Sequence, residues 1–185
     1  MKSKINVILI LFLLTNLTFG QKETWKLNPK KSFISYDANH LLHAWTGINN
    51  KIKGIAKIEV QNNEIKEIAI LTLVKDFDSN NTGRDSHALE VLKSLSFPEV
   101  RFYADSIEVD QDSIKIRGLF NFHGINKTKS ITAFLKDKNN KKILTGKFNL
   151  VPTDFDIELP SFMMVKIENL LIFNFNLEFE KQQLY

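Results

Sequence analysis

The chain has 185 residues, a formal charge of +4 at pH 7, no cysteine, and 15 phenylalanines against 2 tryptophans and 3 tyrosines. Disulfides, thiolate metal sites and thiol nucleophiles are excluded, and so mild a charge without a basic stripe gives no footing for nucleic acid. The length fits one domain, or at most two.

Residues 1–20 read as a secretory signal peptide. Lys2 and Lys4 form a basic start, Ile5 to Leu14 is apolar apart from Asn6, and Thr18-Phe19-Gly20 sets small residues one and three places before Gln21. Cleavage is expected near Gly20, which gives a periplasmic or secreted domain over 21–185. The apolar run is short for a membrane span; a retained anchor is the alternative. Loss of Lys2 and Lys4 with the leader lowers the charge from +4 to +2, and without cysteine no lipid can be attached at a leader cysteine.

Strands follow. Ile34 and Tyr36 alternate with Ser35 and Asp37. Ile52, Gly54, Ala56, Ile58 and Val60 share one face, with Lys53, Ile55, Lys57 and Glu59 on the other. Asn62-Asn63 is a turn signal and Ile65 to Val74 the next strand, so a hairpin is predicted. Ala88, Leu89, Val91, Leu92 and Leu95 then recur at helical spacing. A helix over 85–96 is predicted, capped by Asp85 or Ser86, stopped before Pro98, and lying over an opening or edge.

Strands resume over 100–109 and along Ile114, Ile116, Gly118, Phe120 and Phe122. A short strand, 131–135, precedes the polar turn 138–141. Leu144, Gly146, Phe148 and Leu150 mark another, and Leu171, Phe173, Phe175, Leu177 and Phe179 the last. Eight or nine short strands and one helix fit a sandwich or an up-and-down barrel. Closure removes exposed edges, and about eight strands enclose room for one small ligand. Periodicity does not separate a filled barrel from a hollow one. Gly54 and Gly118 either leave space inside or permit bends. Phe33, Phe162, Met163 and Met164 are candidates for a mouth, or for ordinary packing.

His40, His43, His87 and His123 are the residues best suited to chemistry, as metal ligands or as acids and bases; the alternative is that they fix loops by hydrogen bonds. Arg84-Asp85 reads as an ion pair or helix cap. No GxSxG elbow, phosphate loop or HExxH occurs. No catalytic residue, metal ligand or cofactor is therefore assigned.

Several segments, in order, resemble the YceI-like family of bacterial lipid- and polyisoprenoid-binding proteins. Trp25-Lys-Leu-Asn-Pro-Lys-Lys-Ser32-Phe-Ile34-Ser-Tyr36 is similar to its opening stretch, with Asn28 where an aspartate is usual, and His40 fits the histidine that follows. Gly47 and Gly54 suit the next hairpin. Arg84-Asp85-Ser-His87, Phe97-Pro98-Glu-Val100-Arg-Phe102, Gly118-Leu-Phe-Asn-Phe-His123-Gly124-Ile-Asn-Lys127, Asp154-Phe155 and Val165-Lys-Ile167 complete the likeness.

The resemblance implies a lipocalin-like antiparallel β-barrel of about eight strands with one short helix, a lipid tunnel, and residence in the periplasm or secretion. The expected partner is a long-chain isoprenoid or fatty amphiphile, with transient membrane contact and a homodimer both compatible. Alternation then nominates a lipid-binding wall of Ile34, Tyr36, Ile58, Ile70, Leu92, Phe102, Phe120, Phe122, Phe148, Phe173, Phe175 and Leu177. Two alternatives stand beside a carrier. One is an enzyme on a small apolar or prenyl substrate, using His40, His87 or His123. The other is a stress-related structural barrel with a filled core.

Overall fold

The computed structural model describes residues 21–138 and 140–182; the expected signal peptide lies outside them. Its strands are β1 (Lys22–Leu27), β2 (Phe33–His40), β3 (His43–Asn49), β4 (Lys53–Glu59), β5 (Glu64–Leu73), β6 (Glu99–Asp110), β7 (Ser113–Phe122), β8 (Ile125–Lys138), β9 (Lys141–Leu150), β10 (Ser161–Phe162), β11 (Val165–Lys166) and β12 (Leu171–Lys181). One α-helix, α1 (Thr82–Val91), joins β5 to β6. Strands β1-β4-β5-β6-β7-β8-β9-β12 run antiparallel, and pairing of β1 with β12 closes them into an eight-stranded barrel.

The barrel changes partners along β12. Its first half, Leu171–Asn176, lies against β2, and its last residues, Phe179–Lys181, lie against β1. One end is thus closed by β1, while the other is widened by the inserted β2–β3 hairpin. β3 meets the far wall through the Ile48–Asp78 bridge. The buried Asn49 amide reinforces that contact, donating to Thr72 Oγ1 at 2.6 Å and to Leu73 O at 3.3 Å.

Alternation of apolar and polar residues puts one face of every barrel strand inside, and the inside divides into two clusters. At the β1 end, Trp25, Ile58, Ile68, Ile114, Leu144, Leu177 and Phe179 fill the interior. Each such side chain contributes roughly 1.5–3 kcal/mol by leaving water. Lys142, 1% exposed, seals this end: its ammonium lies 5.4 Å over the Trp25 ring and bonds to Asp137. At the β2–β3 end the cluster is Val74, Phe120, Phe122, Leu150, Phe155 and Ile157, and Phe102 and Phe148 pack against both.

Two expectations need correction. The helix runs over Thr82–Val91 rather than 85–96, because Asn81 is its cap: the Asn81 Oδ1 accepts from the Arg84 N–H at 2.9 Å. Asp85 instead accepts from the N–H and, at 2.6 Å, the hydroxyl of Ser79. Lys93, at φ 45°, ends the helix, which turns Leu95 fully into solvent. The strand expected over 131–135 is β8, fourteen residues long. Lys127 and Lys129 occupy half-buried positions on it and interrupt the apolar alternation; their ammonium groups lie over the Phe155 and Phe148 rings. The β8–β9 ladder runs from Lys138–Lys141 to Ala133–Gly146. Beyond it Lys129 Nζ donates to Asn149 O, bridging the strands where they diverge.

Candidate functional site: an apolar cavity at the wide end

The β2–β3 end encloses a cavity of about 620 Å³. Its inner wall comes from β7 and β9, through Phe120, Phe122, Phe148 and Leu150, and from β12 through Leu171 and Phe173. Ile34, Tyr36 and Ala38 of β2 form one side, and Ala88 and Leu89 of α1, with Leu92 at its C-cap, cover another. The segment after β9 returns across the opening and adds Ile157, Leu159 and Phe162.

Aromatic rings organise the wall. Phe148 and Phe173 stack at 5.1 Å with 6° between planes, and Phe120 stands edge-on to Phe148 at 6.0 Å. Tyr36 packs 6.1 Å from Phe173 and 5.7 Å from Phe77. Room for the Tyr36 ring is made by Gly47, its cross-strand partner, where a Cβ would stand 2.3 Å from Tyr36 Cε1. Burial pushes the Tyr36 phenol above the usual tyrosine range, favouring the uncharged form against this apolar wall.

Polar groups collect at the mouth. Lys75, Arg84, Asp85, His40, His43 and His87 all border the cavity. The Arg84 guanidinium lies 5.0 Å over the Trp45 ring. His40 is committed at both nitrogens: Nδ1 accepts from the Leu42 N–H at 3.3 Å, so Nε2–H donates to Val165 O at 3.1 Å. The His43 ring lies 5.5 Å away. His87 is exposed, 3.6 Å from Glu90.

His123 is elsewhere, buried in the turn between β7 and β8. Its Nδ1–H donates to Phe155 O at 2.8 Å, its ring packs on Phe97 at 4.5 Å, and its buried Nε2 has no hydrogen-bond partner among the described residues. The four histidines, weighed in sequence as ligands or as acids and bases without a role being assigned, are therefore split between two places. No group of three or more His, Asp or Glu placed to hold a metal occurs among the described residues.

Of the twelve nominated wall residues, Ile34, Tyr36, Leu92, Phe120, Phe122, Phe148 and Phe173 border the cavity. Ile58, Phe175 and Leu177 belong to the filled end, and Ile70 and Phe102 pack against it. All the nominated strand positions face inward, because side chains alternate with period two, but alternation carries no information about depth along the barrel. Phe162 borders the mouth, with Met163 and Met164 following it in the β10–β11 turn. Phe33 is at the opposite end of β2, across from Asn176. Val74, Phe77, Leu89, Ile157 and Leu159 also line the cavity. They sit on a helix, short turns and a crossing segment, where strand alternation does not single out an inward face; the Ile157, Leu159 spacing before Pro160 is the available signal.

A family model described as a YceI-like domain matches residues 25–179. Among solved structures, BcnA from Burkholderia cenocepacia superposes with a TM-score of 0.73 at 12% identity, covering 82% of this chain and 98% of that one. A polyisoprenoid-binding domain from Saccharophagus degradans, implicated in plant cell wall breakdown, gives 0.68 at 10% identity, covering 85% and 98%. The YCEI protein of Campylobacter jejuni gives 0.64 at 14% identity, covering 74% and 85%. At these identities the likeness establishes the fold. No curated protein sequence matches the chain.

Proposed function

The chain belongs to the YceI-like family, and on that premise we propose that it is a non-enzymatic carrier, holding an isoprenoid or other long-chain amphiphile in the wide-end cavity. The observation that carries this reading is the cavity itself: about 620 Å³, walled mainly by hydrocarbon and aromatic rings, with Lys75, Arg84 and Asp85 the charged side chains that border it. That volume falls within the roughly 300–1,000 Å³ of small-molecule sites. The tail would lie against Phe120, Phe148 and Phe173, and the polar end would face Lys75, Arg84 and the mouth histidines. The Saccharophagus domain, which shares the fold and is described as polyisoprenoid-binding, supports the same class of ligand.

Energetics favour a long chain. Each buried CH₂ contributes about 0.8 kcal/mol, whereas association costs roughly 4–15 kcal/mol. Ten carbons would barely be retained, and retention rises with every further isoprene unit inside the wall. Export by the leader over residues 1–20 is part of the proposal; fractionation of the producing cell, with the mature N-terminus sequenced, tests it.

Native mass spectrometry of the protein isolated from its own cell envelope tests carriage. A lipid-sized mass increment is expected, lost in Phe173→Asp and kept in Ile172→Asp, whose side chain lies on the outer face. Circular dichroism of both variants separates loss of ligand from loss of fold. A wild-type protein that carries no lipid and takes none up from detergent-dispersed isoprenoid would sink the reading. Conversion of a bound lipid, abolished by His43→Ala or His87→Ala, would replace it with the enzymatic one.

A further inference from the structure

Some of the most exposed apolar side chains in the molecule gather on the rim of the cavity mouth. Leu41 and Leu42 form the tip of the β2–β3 hairpin, 79% and 61% exposed. Phe162, Met163 and Met164 form the tip of the β10–β11 hairpin, 56%, 70% and 99% exposed. The hairpins are joined: His40 Nε2–H donates to Val165 O at 3.1 Å, and the Glu168 N–H donates to Asn39 O at 2.9 Å. Phe162 stands edge-on to His40 at 6.0 Å and to His43 at 6.4 Å. The two tips therefore make one platform, and Phe162 belongs both to it and to the cavity wall.

Two features show that the platform suits something other than water. Met163 and Met164 have φ of 52° and 64°, the left-handed region that two-residue hairpin turns ordinarily give to Asn, Asp or Gly. Long apolar side chains are held there against that preference and against the cost of exposing them. Moreover, Ala38–Ile48 and Leu159–Ile167 contain no Asp or Glu and a single Lys, Lys166, in a chain with 21 acidic residues. Apolar tips that carry no carboxylate of their own, with Glu168 set back beside the Asn39 amide and with Lys166 and Trp45 near them, match the hydrocarbon, anionic headgroups and aromatic belt of a lipid bilayer. A stable protein interface takes about 20–30 residues a side, well beyond these two tips.

We propose that the paired tips insert into the surface of a lipid bilayer and hold the mouth against it, so that a lipid tail passes between membrane and cavity without crossing water. This deepens the carrier reading and rests on it for its purpose, but it is tested separately.

The purified protein is floated on a density gradient with vesicles of phosphatidylethanolamine and phosphatidylglycerol, beside a Leu41→Asp, Met164→Asp double variant. Neither residue borders the cavity. The wild type is expected to float with the vesicles, and the partition of the variant to fall by at least about tenfold, since two apolar side chains are withdrawn from hydrocarbon and two charges oppose entry. The variant should keep its melting temperature and its uptake of detergent-dispersed isoprenoid. Quenching of Trp45 by brominated lipid gives an answer without a variant, Trp25 being buried at the other end. A wild type that stays with the soluble fraction, or a variant that floats as well, overturns the proposal. So does a wild-type dimer that the variant breaks without vesicle binding, which would make the platform a contact between copies. Flotation without lipid uptake would leave docking standing and overturn carriage.

Discussion

At residue scale, two glycines act by what they let others do. Gly47 yields its side-chain space to the Tyr36 ring. Gly47→Ala is expected to drive that ring toward Phe77 and Phe173, costing about 1–3 kcal/mol as overpacking does and reducing lipid capacity; a urea midpoint and a lipid titration check both effects. At Gly118 a Cβ would meet Tyr103 O at 2.2 Å, where β6 carries its bulge between Ala104 and Ser106. Of the two roles considered for Gly118 in sequence, the bend is the one the backbone contact supports. Gly47 is legible in sequence only through the family likeness, because its role depends on a cross-strand neighbour eleven residues earlier.

At element scale, the β1–β12 seam is short, with three register pairs, and is clasped by charge. Lys181 and the Trp25 indole N–H bond to Glu23, each at 2.7 Å, and hold its carboxyl below the usual range. Lys141 and Asn28 do the same to Glu180. The unfolded chain takes up these protons at higher pH than the folded barrel. The stability they supply is complete above the ordinary glutamate range and is lost as pH falls through it toward the lowered folded values. The urea midpoint should hold from neutrality down to that range and decline below it, and Glu23→Gln should flatten part of the decline. Partly exposed pairs of this kind contribute about 0–1 kcal/mol each, so the effect is modest. Strand positions were legible because alternation is local. The helix start was misplaced because Asn81 precedes the apolar spacing, and the length of β8 was hidden because its lysines take inward positions above aromatic faces.

At the scale of the whole molecule, the choice between a filled and a hollow barrel resolves into both, one at each end. Phe179, fully buried in the filled end, should cost about 3–5 kcal/mol on truncation to Ala while leaving lipid capacity intact. Phe173, with the cavity already on one side, should cost less on the same truncation and lose lipid. Thermal melts paired with a lipid titration separate the two. Neither end could be assigned from sequence, since the same inward face of β12 supplies Phe173 to one and Phe179 to the other.

The change of partner along β12 bears on how the barrel can form. This strand follows every other one in the chain, yet it lies against β9, β2 and β1 at once. Until it arrives, β1 and β2 have no common neighbour and β9 is an unpaired edge. Contacts of such long sequence separation are slow to close, so the sequential hairpins from β4 to β9 are free to form first, and the barrel is shut only when β12 docks.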